Sequence, residues 1–126
     1  MSREDFEELA DQAWQSIPQS FRDRFSNVAV FVEQETKPAD LHAARVPLRG
    51  TLLGLYQGVP LSRRGHRYGM VLPDKVMLFQ GPIERSAERV EEIPQIICDT
   101  LWHELAHHLG MNENQVRNAE NRRGKR

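Results

Sequence analysis

Residues 103–113 read HELAHHLGMNE. On a helix, His103 and His107 are four positions apart, so their side chains share one face, one turn from each other. Two imidazoles so placed can hold one zinc ion at about 2.0–2.1 Å. Glu104 is turned roughly 100° further round the axis. That angle takes it out of the same ligand set but lets it reach a water on the metal. The pattern thus divides into two ligands and one general base, which is the requirement for metal-assisted hydrolysis.

A hydrolytic zinc needs a third protein ligand and one open position. Glu113 is the candidate. A continuous helix would carry it about 9 Å past His107 along the axis, too far for a carboxylate to close on the same ion. The helix must therefore end between them, and Gly110 stands where the break is required, since glycine enters the left-handed conformation without a Cβ penalty. Glu120 is the alternative third ligand, thirteen positions after His107 with little chain in which to turn round; reach favours Glu113. Composition alone would produce the His-Glu-x-x-His spacing in roughly 2% of shuffles, and requiring Gly110 and an acid at 113 lowers that to roughly 0.02%.

The bland alternative is a solvated helix face. Ile97, Leu101 and Leu105 form an apolar stripe, and His103 and His107 lie nearly opposite it. Periodicity alone would accept that reading, but it leaves Gly110 with Glu113 unexplained. His108 points back toward the apolar stripe and is expected to pack there. His42 and His66 fall in loops and are expected to be solvated. Cys98, the single cysteine, reads as a small buried hydrophobe.

The elements that must position this unit follow from periodicity and punctuation. Ser2 with Asp5 caps a first helix whose apolar residues Phe6, Leu9, Ala10, Ala13, Trp14 and Ile17 fall at helical spacing, with Pro18 as its stop. The segment QSFRDRF is expected to form one more short turn. Three stretches read as strands: NVAVFVEQE at 27–35, TLLGLYQG at 51–58 and KVMLFQ at 75–80, the last closed by Gly81-Pro82. KPADLHAARVPLRG, punctuated by prolines, reads as a loop, as does 59–74. A charged segment, IERSAERVEE, leads into the last long helix, which starts at Pro94, runs to Leu109 and stops at Gly110. The basic tail 121–126 is expected to be flexible. Helix, strands, then helix is an α+β order.

Composition sets bounds. A chain of 126 residues is expected to be one domain with a core of its own. The net charge of −1 gives no general pull toward nucleic acid or membrane. The lone cysteine precludes an internal disulfide and fits a reducing compartment. The N-terminal segment is acidic and amphipathic, with no export signal, and no window has the length of a membrane span; a cytoplasmic location is the expectation. From Leu41 to Pro73 the chain carries Arg45, Arg49, Arg63, Arg64 and Arg67 and no acid. A solvated loop surface accounts for this, and a rim favouring acidic substrates is the sharper alternative. Aromatic interleaving of the kind a nucleic-acid platform needs is absent, so nucleic acid is disfavoured as a partner.

The segment HELAHHLGMNE resembles the signature of zincin metallopeptidases. Its glycine and its tenth position after the first histidine are similar to the metzincin pattern, whose third ligand is usually His and sometimes Asp; Glu113 departs from Asp by one methylene. More closely, the chain resembles the family of minimal zincin-like bacterial metallopeptidases, through NVAVFVEQE, GLYQGVPL, KVMLFQGPIE and DTLWHELAHHLG, which together span residues 27–113. The resemblance implies a minimal zincin-like fold, with a short mixed sheet packed on helices and the active-site helix below a cleft. It implies one zinc held by His103, His107 and Glu113, with Glu104 as catalytic base and a peptide or protein substrate. In such folds the strand bordering the cleft pairs with extended substrate, and KVMLFQ is expected to be that edge strand. Tyr68, His66 and Arg117 are candidates for stabilising the oxyanion, with nothing to choose among them.

Two other functions compete. A non-catalytic module could keep the metal for stability or for partner binding, but a structural site has no need of Glu104 and usually closes all four positions with protein ligands. A metal-dependent endoribonuclease similar to the bacterial ribosomal-RNA maturation family spaces its ligands alike. That family lacks the glutamate after the first histidine and ends on a third histidine, and both features count against it here.

Overall fold

The computed structural model describes residues 1–25, 27–47, 50–58 and 73–110. Its elements are α1 (Arg3–Ser16), α2 (Gln19–Arg22), β1 (Val28–Glu33), α3 (Pro38–Ala43), β2 (Gly54–Gln57), β3 (Asp74–Phe79), α4 (Gln80–Ser86), a 3-10 turn (Val90–Glu92) and α5 (Ile93–His108). This is the expected α+β arrangement: a short mixed sheet packed on helices, consistent with a minimal zincin-like fold.

Ser2 caps α1 as its sequence suggests, the Asp5 N–H donating to Ser2 Oγ at 3.0 Å. Phe6, Ala10, Ala13 and Ile17 then fall on one buried face. QSFRDRF does form a short helix, α2. The segment after Lys37, expected to be a loop, instead holds α3. Pro38 suits its first turn, and Asp40 Oδ2 accepts the Lys37 N–H at 2.8 Å, so the proline that reads as a breaker is a helix start.

The strand order is β1-β3-β2. β3 runs parallel to β1, with Val30 opposite Val76, and antiparallel to β2, with Tyr56 opposite Val76. KVMLFQ is therefore the central strand and not the edge strand expected from the resemblance. The physical reason is in its burial: Val76, Leu78 and Phe79 are all 0% exposed, which a strand reaches when both neighbours and a helical layer cover it. Within the described residues the sheet edges are β1 and β2.

Val32, Val76 and Leu78 meet α1 and α5 in one core with Ile83, Ile93, Ile97, Leu101 and Leu105. Complete burial of side chains of this size contributes about 1.5–3 kcal/mol each. The apolar stripe of α5 fixes that helix in rotation, and so decides which of its residues face outward. No described helix is long and apolar enough to cross a membrane.

Candidate active site

α5 buries Ile97, Leu101, Trp102, Leu105 and Ala106. His103 and Glu104 are left half-buried, and His107 and His108 are exposed in the last turn. The expected opposition of stripe and histidines therefore holds. The last turn of a helix carries unpaired carbonyls and the negative end of the macrodipole, which favours a cation there.

The His103 and His107 rings have centroids 5.5 Å apart and planes at 86°. An ion bound in the ring plane about 2.0–2.1 Å from an imidazole nitrogen lies about 3.2 Å from the ring centroid, so two rings meeting at a tetrahedral angle have centroids about 5.2 Å apart. The pair is thus spaced to share one zinc. Among the described residues, no group of three His, Cys, Asp or Glu side chains converges as a metal site. Glu113 and Glu120 lie outside the described residues, as do Tyr68, His66 and Arg117, together with Arg49, Arg63, Arg64, Arg67 and the tail 121–126. Of the basic stretch, Arg45 is described; it is exposed, in a left-handed turn with φ of 59°.

Gly110 has φ of +82°, and its N–H donates to His107 O at 2.9 Å. Leu109 caps the helix, so this is the bond of a left-handed C-terminal cap, made to the carbonyl of a histidine in question. α5 ends where the spacing argument requires, and the chain leaves its helical path at Gly110.

Glu104 reaches to the sheet. Its Oε1 accepts the Tyr56 N–H at 3.0 Å. Leu53 O accepts from Phe79 N–H at 2.9 Å, so in the antiparallel alternation the amides of Gly54 and Tyr56 face away from β3. Glu104 thereby occupies one of the outward positions of the β2 edge. Burial raises its carboxyl pKa above the ordinary glutamate value; the Tyr56 amide, then His107 and His103, pull it back in part. β2 and α5 touch closely at Gly54, where a Cβ would come within 2.7 Å of Thr100 Cγ2 and 3.1 Å of Met77 O. Any larger residue would push the strand from the helix.

A cleft of about 280 Å³ opens between these elements, lined by Thr51, Leu52, Leu53 and Gly54 on one side and Asp99, Thr100, His103 and Glu104 on the other. A second cleft, about 300 Å³, lies at the β1 edge against α1, with Arg3, Glu7, Trp14 and Phe31 in its lining. None of its described lining residues is a histidine.

His108 does not pack on the apolar stripe. It is 40% exposed, and its ring stacks on Tyr56 with centroids 3.9 Å apart and planes at 16°. Tyr56 Oη donates to Asp74 Oδ2 at 2.7 Å, and that oxygen is 4.0 Å from His108 Nε2. Cys98 is half-buried rather than enclosed, its Sγ 3.9 Å from Ser16 Oγ. Trp14 packs partly buried against the core, and His42 is exposed as expected.

Sequence reasoning missed Gly54, Tyr56 and Asp74. An isolated glycine inside a strand marks close backbone approach, so Gly54 carried a readable signal. Tyr56 and Asp74 carried none, because their meeting depends on pairing across the sheet.

No match was found among curated proteins. Among solved structures, a conserved hypothetical protein from T. thermophilus is similar, at 27% identity over 86% of this chain and 94% of that one, with a TM-score of 0.56. The model of the zincin-like metallopeptidases matches residues 25–123, which takes in the sheet, α5 and the segment beyond it. By that match the chain belongs to the zincin-like metallopeptidase family.

Proposed function

We propose that the protein is a zinc-dependent peptidase in which His103, His107 and Glu113 hold one zinc ion and Glu104 is the general base. The observation that carries this reading is the shared geometry of α5. Two imidazoles lie one turn apart and are spaced for one ion, the neighbouring carboxylate is partly desolvated, and the helix ends at Gly110 with φ of +82°. Family membership supports a metallopeptidase and, with it, zinc.

Zinc, when bound, supplies Lewis-acid polarisation of a carbonyl and a more acidic water. The chain supplies the rest. His103 and His107 present nitrogen donors from a helix anchored by three fully buried side chains, Ile97, Leu101 and Leu105. Glu104 Oε1 rests on the Tyr56 amide, and the other carboxylate oxygen would take the proton of the water. A carboxylate whose pKa is raised by burial is a better proton acceptor, and it can pass the proton to the leaving amine. Peptides would enter along the β2 edge beside Gly54, whose amide faces outward while that of Tyr56 is held by Glu104, in the manner of strand addition. The substrate is a peptide or protein, and the basic stretch from Arg45 to Arg67 favours acidic ones.

A diverse peptide library, treated with the zinc-loaded protein with and without chelator, tests the proposal. Cleavage that the chelator abolishes supports it. Cleavage unchanged by chelator overturns the zinc-dependent mechanism, and absence of cleavage with zinc bound leaves the non-catalytic metal-binding module as the better reading. The endoribonuclease reading gains nothing from a chain that has glutamate at position 104.

A further inference from the structure

α5 is locked to the core as far as Ala106, which is 0% exposed; beyond it His107 and His108 are exposed and Leu109 half-buried. The turn that carries His107 therefore has little apolar burial of its own, and helix ends without such burial fray. What grips that turn is polar and aromatic. The His108 ring lies flat on Tyr56 at 3.9 Å, with Phe25 next to both at 6.1 and 6.3 Å. Tyr56 is tied in turn to the first residue of β3, through Oη to Asp74 Oδ2 at 2.7 Å, and Asp74 is 8% exposed. The backbone N–H of Tyr56 meanwhile holds Glu104. One strand residue thus touches α5 twice: at Glu104 through the main chain and at His108 through the ring.

We infer that Tyr56, Asp74 and His108 form a positioning clamp, which holds the last turn of α5 against the sheet so that His107 is oriented toward the metal before the metal arrives. The inference rests on the proposed metal site. None of the three contacts the ion; they act through the turn that carries His107 and through Glu104. Removing groups that orient metal ligands typically weakens metal affinity about 10–100-fold, and that is the scale expected here.

Zinc affinity of the full chain, measured by competition with a chromophoric chelator, tests the clamp, alongside the visible spectrum of the cobalt(II)-loaded protein and the thermal midpoint of the metal-free protein. Tyr56→Phe keeps the stack and loses the Asp74 bond; His108→Ala loses the stack; His108→Phe restores a stacking ring without a ligand atom. The clamp predicts about 10-fold weaker zinc binding in Tyr56→Phe and His108→Ala, an altered cobalt spectrum, and recovery in His108→Phe. Affinities equal to the parent's overturn it. So does a loss that merely follows the fall in thermal midpoint, or a His108→Phe protein as impaired as His108→Ala, which would make His108 a ligand. His103→Ala separates the two levels: if that variant binds zinc as the parent does, the metal site itself is misassigned, whereas a loss there beside parent-like clamp variants condemns the clamp alone.

Discussion

The described sheet has two edges, and each borders a cleft of nearly the same size: about 300 Å³ beside β1 and about 280 Å³ beside β2. The β1 cleft has the aromatic rings, Trp14 and Phe31, and the exposed pair Arg3 and Glu7, joined at 3.1 Å. Surface pairs of that kind contribute little and perturb little. The β2 cleft has a half-buried glutamate whose carboxyl pKa is pushed up, and the His103 ring with His107 at 5.5 Å. Volume does not tell the two apart; the chemistry of the lining does. The difference arises from which helix lies beside each edge. α1 presents an ordinary solvated face to β1, whereas α5 presents His103 and Glu104 to β2.

The largest expected effect separates the clefts outright. His103→Ala removes a proposed ligand and should abolish zinc retention on dialysis, while Phe31→Ser in the β1 cleft should leave zinc content at one per chain; metal analysis of both variants checks this. Next comes the helix that makes the β2 edge different. Leu101→Ala empties a fully buried position and should cost about 2–5 kcal/mol in chemical denaturation.

Gly110→Ala should cost about 1–2 kcal/mol, because φ of +82° is disfavoured for any residue with a Cβ. Nothing lies within 4 Å of that added carbon, so the loss is conformational rather than steric. Weaker zinc binding should accompany it.

The smallest effect concerns Glu104 in the metal-free protein. A carboxyl whose folded pKa is raised binds protons more readily in the folded than in the unfolded state. Stability from this group is therefore greatest below the unfolded value of 4.5 and falls as pH rises through the folded value. Glu104→Gln should raise the metal-free thermal midpoint at pH 7, with the gain vanishing toward pH 4.

What could be read from the sequence was local. α5 was legible from its stripe, from Pro94 and from Gly110, because each signal acts within a turn of where it stands. The three strands were legible as short segments, the first from its alternation and β-branched residues. α3 was not, because Pro38 reads as a breaker unless Asp40 is recognised as closing its cap. Strand order was not legible either: the pairing of β1 with β3 joins segments more than forty residues apart, and no local pattern in KVMLFQ announces a central place. The same holds for His108, whose orientation depends on Tyr56 arriving from another strand. At the candidate site, spacing singled out His103, Glu104, His107 and Gly110, while Gly54, Tyr56 and Asp74 became visible only with the sheet assembled.

The most direct trial of the central claim is a paired assay: hydrolysis of a responsive peptide by the parent and by Glu104→Gln, with zinc content measured on the same samples. The account predicts one zinc in each and a rate at least about 100-fold lower in the variant, the scale of a lost general base. Equal rates with zinc retained in both would contradict it.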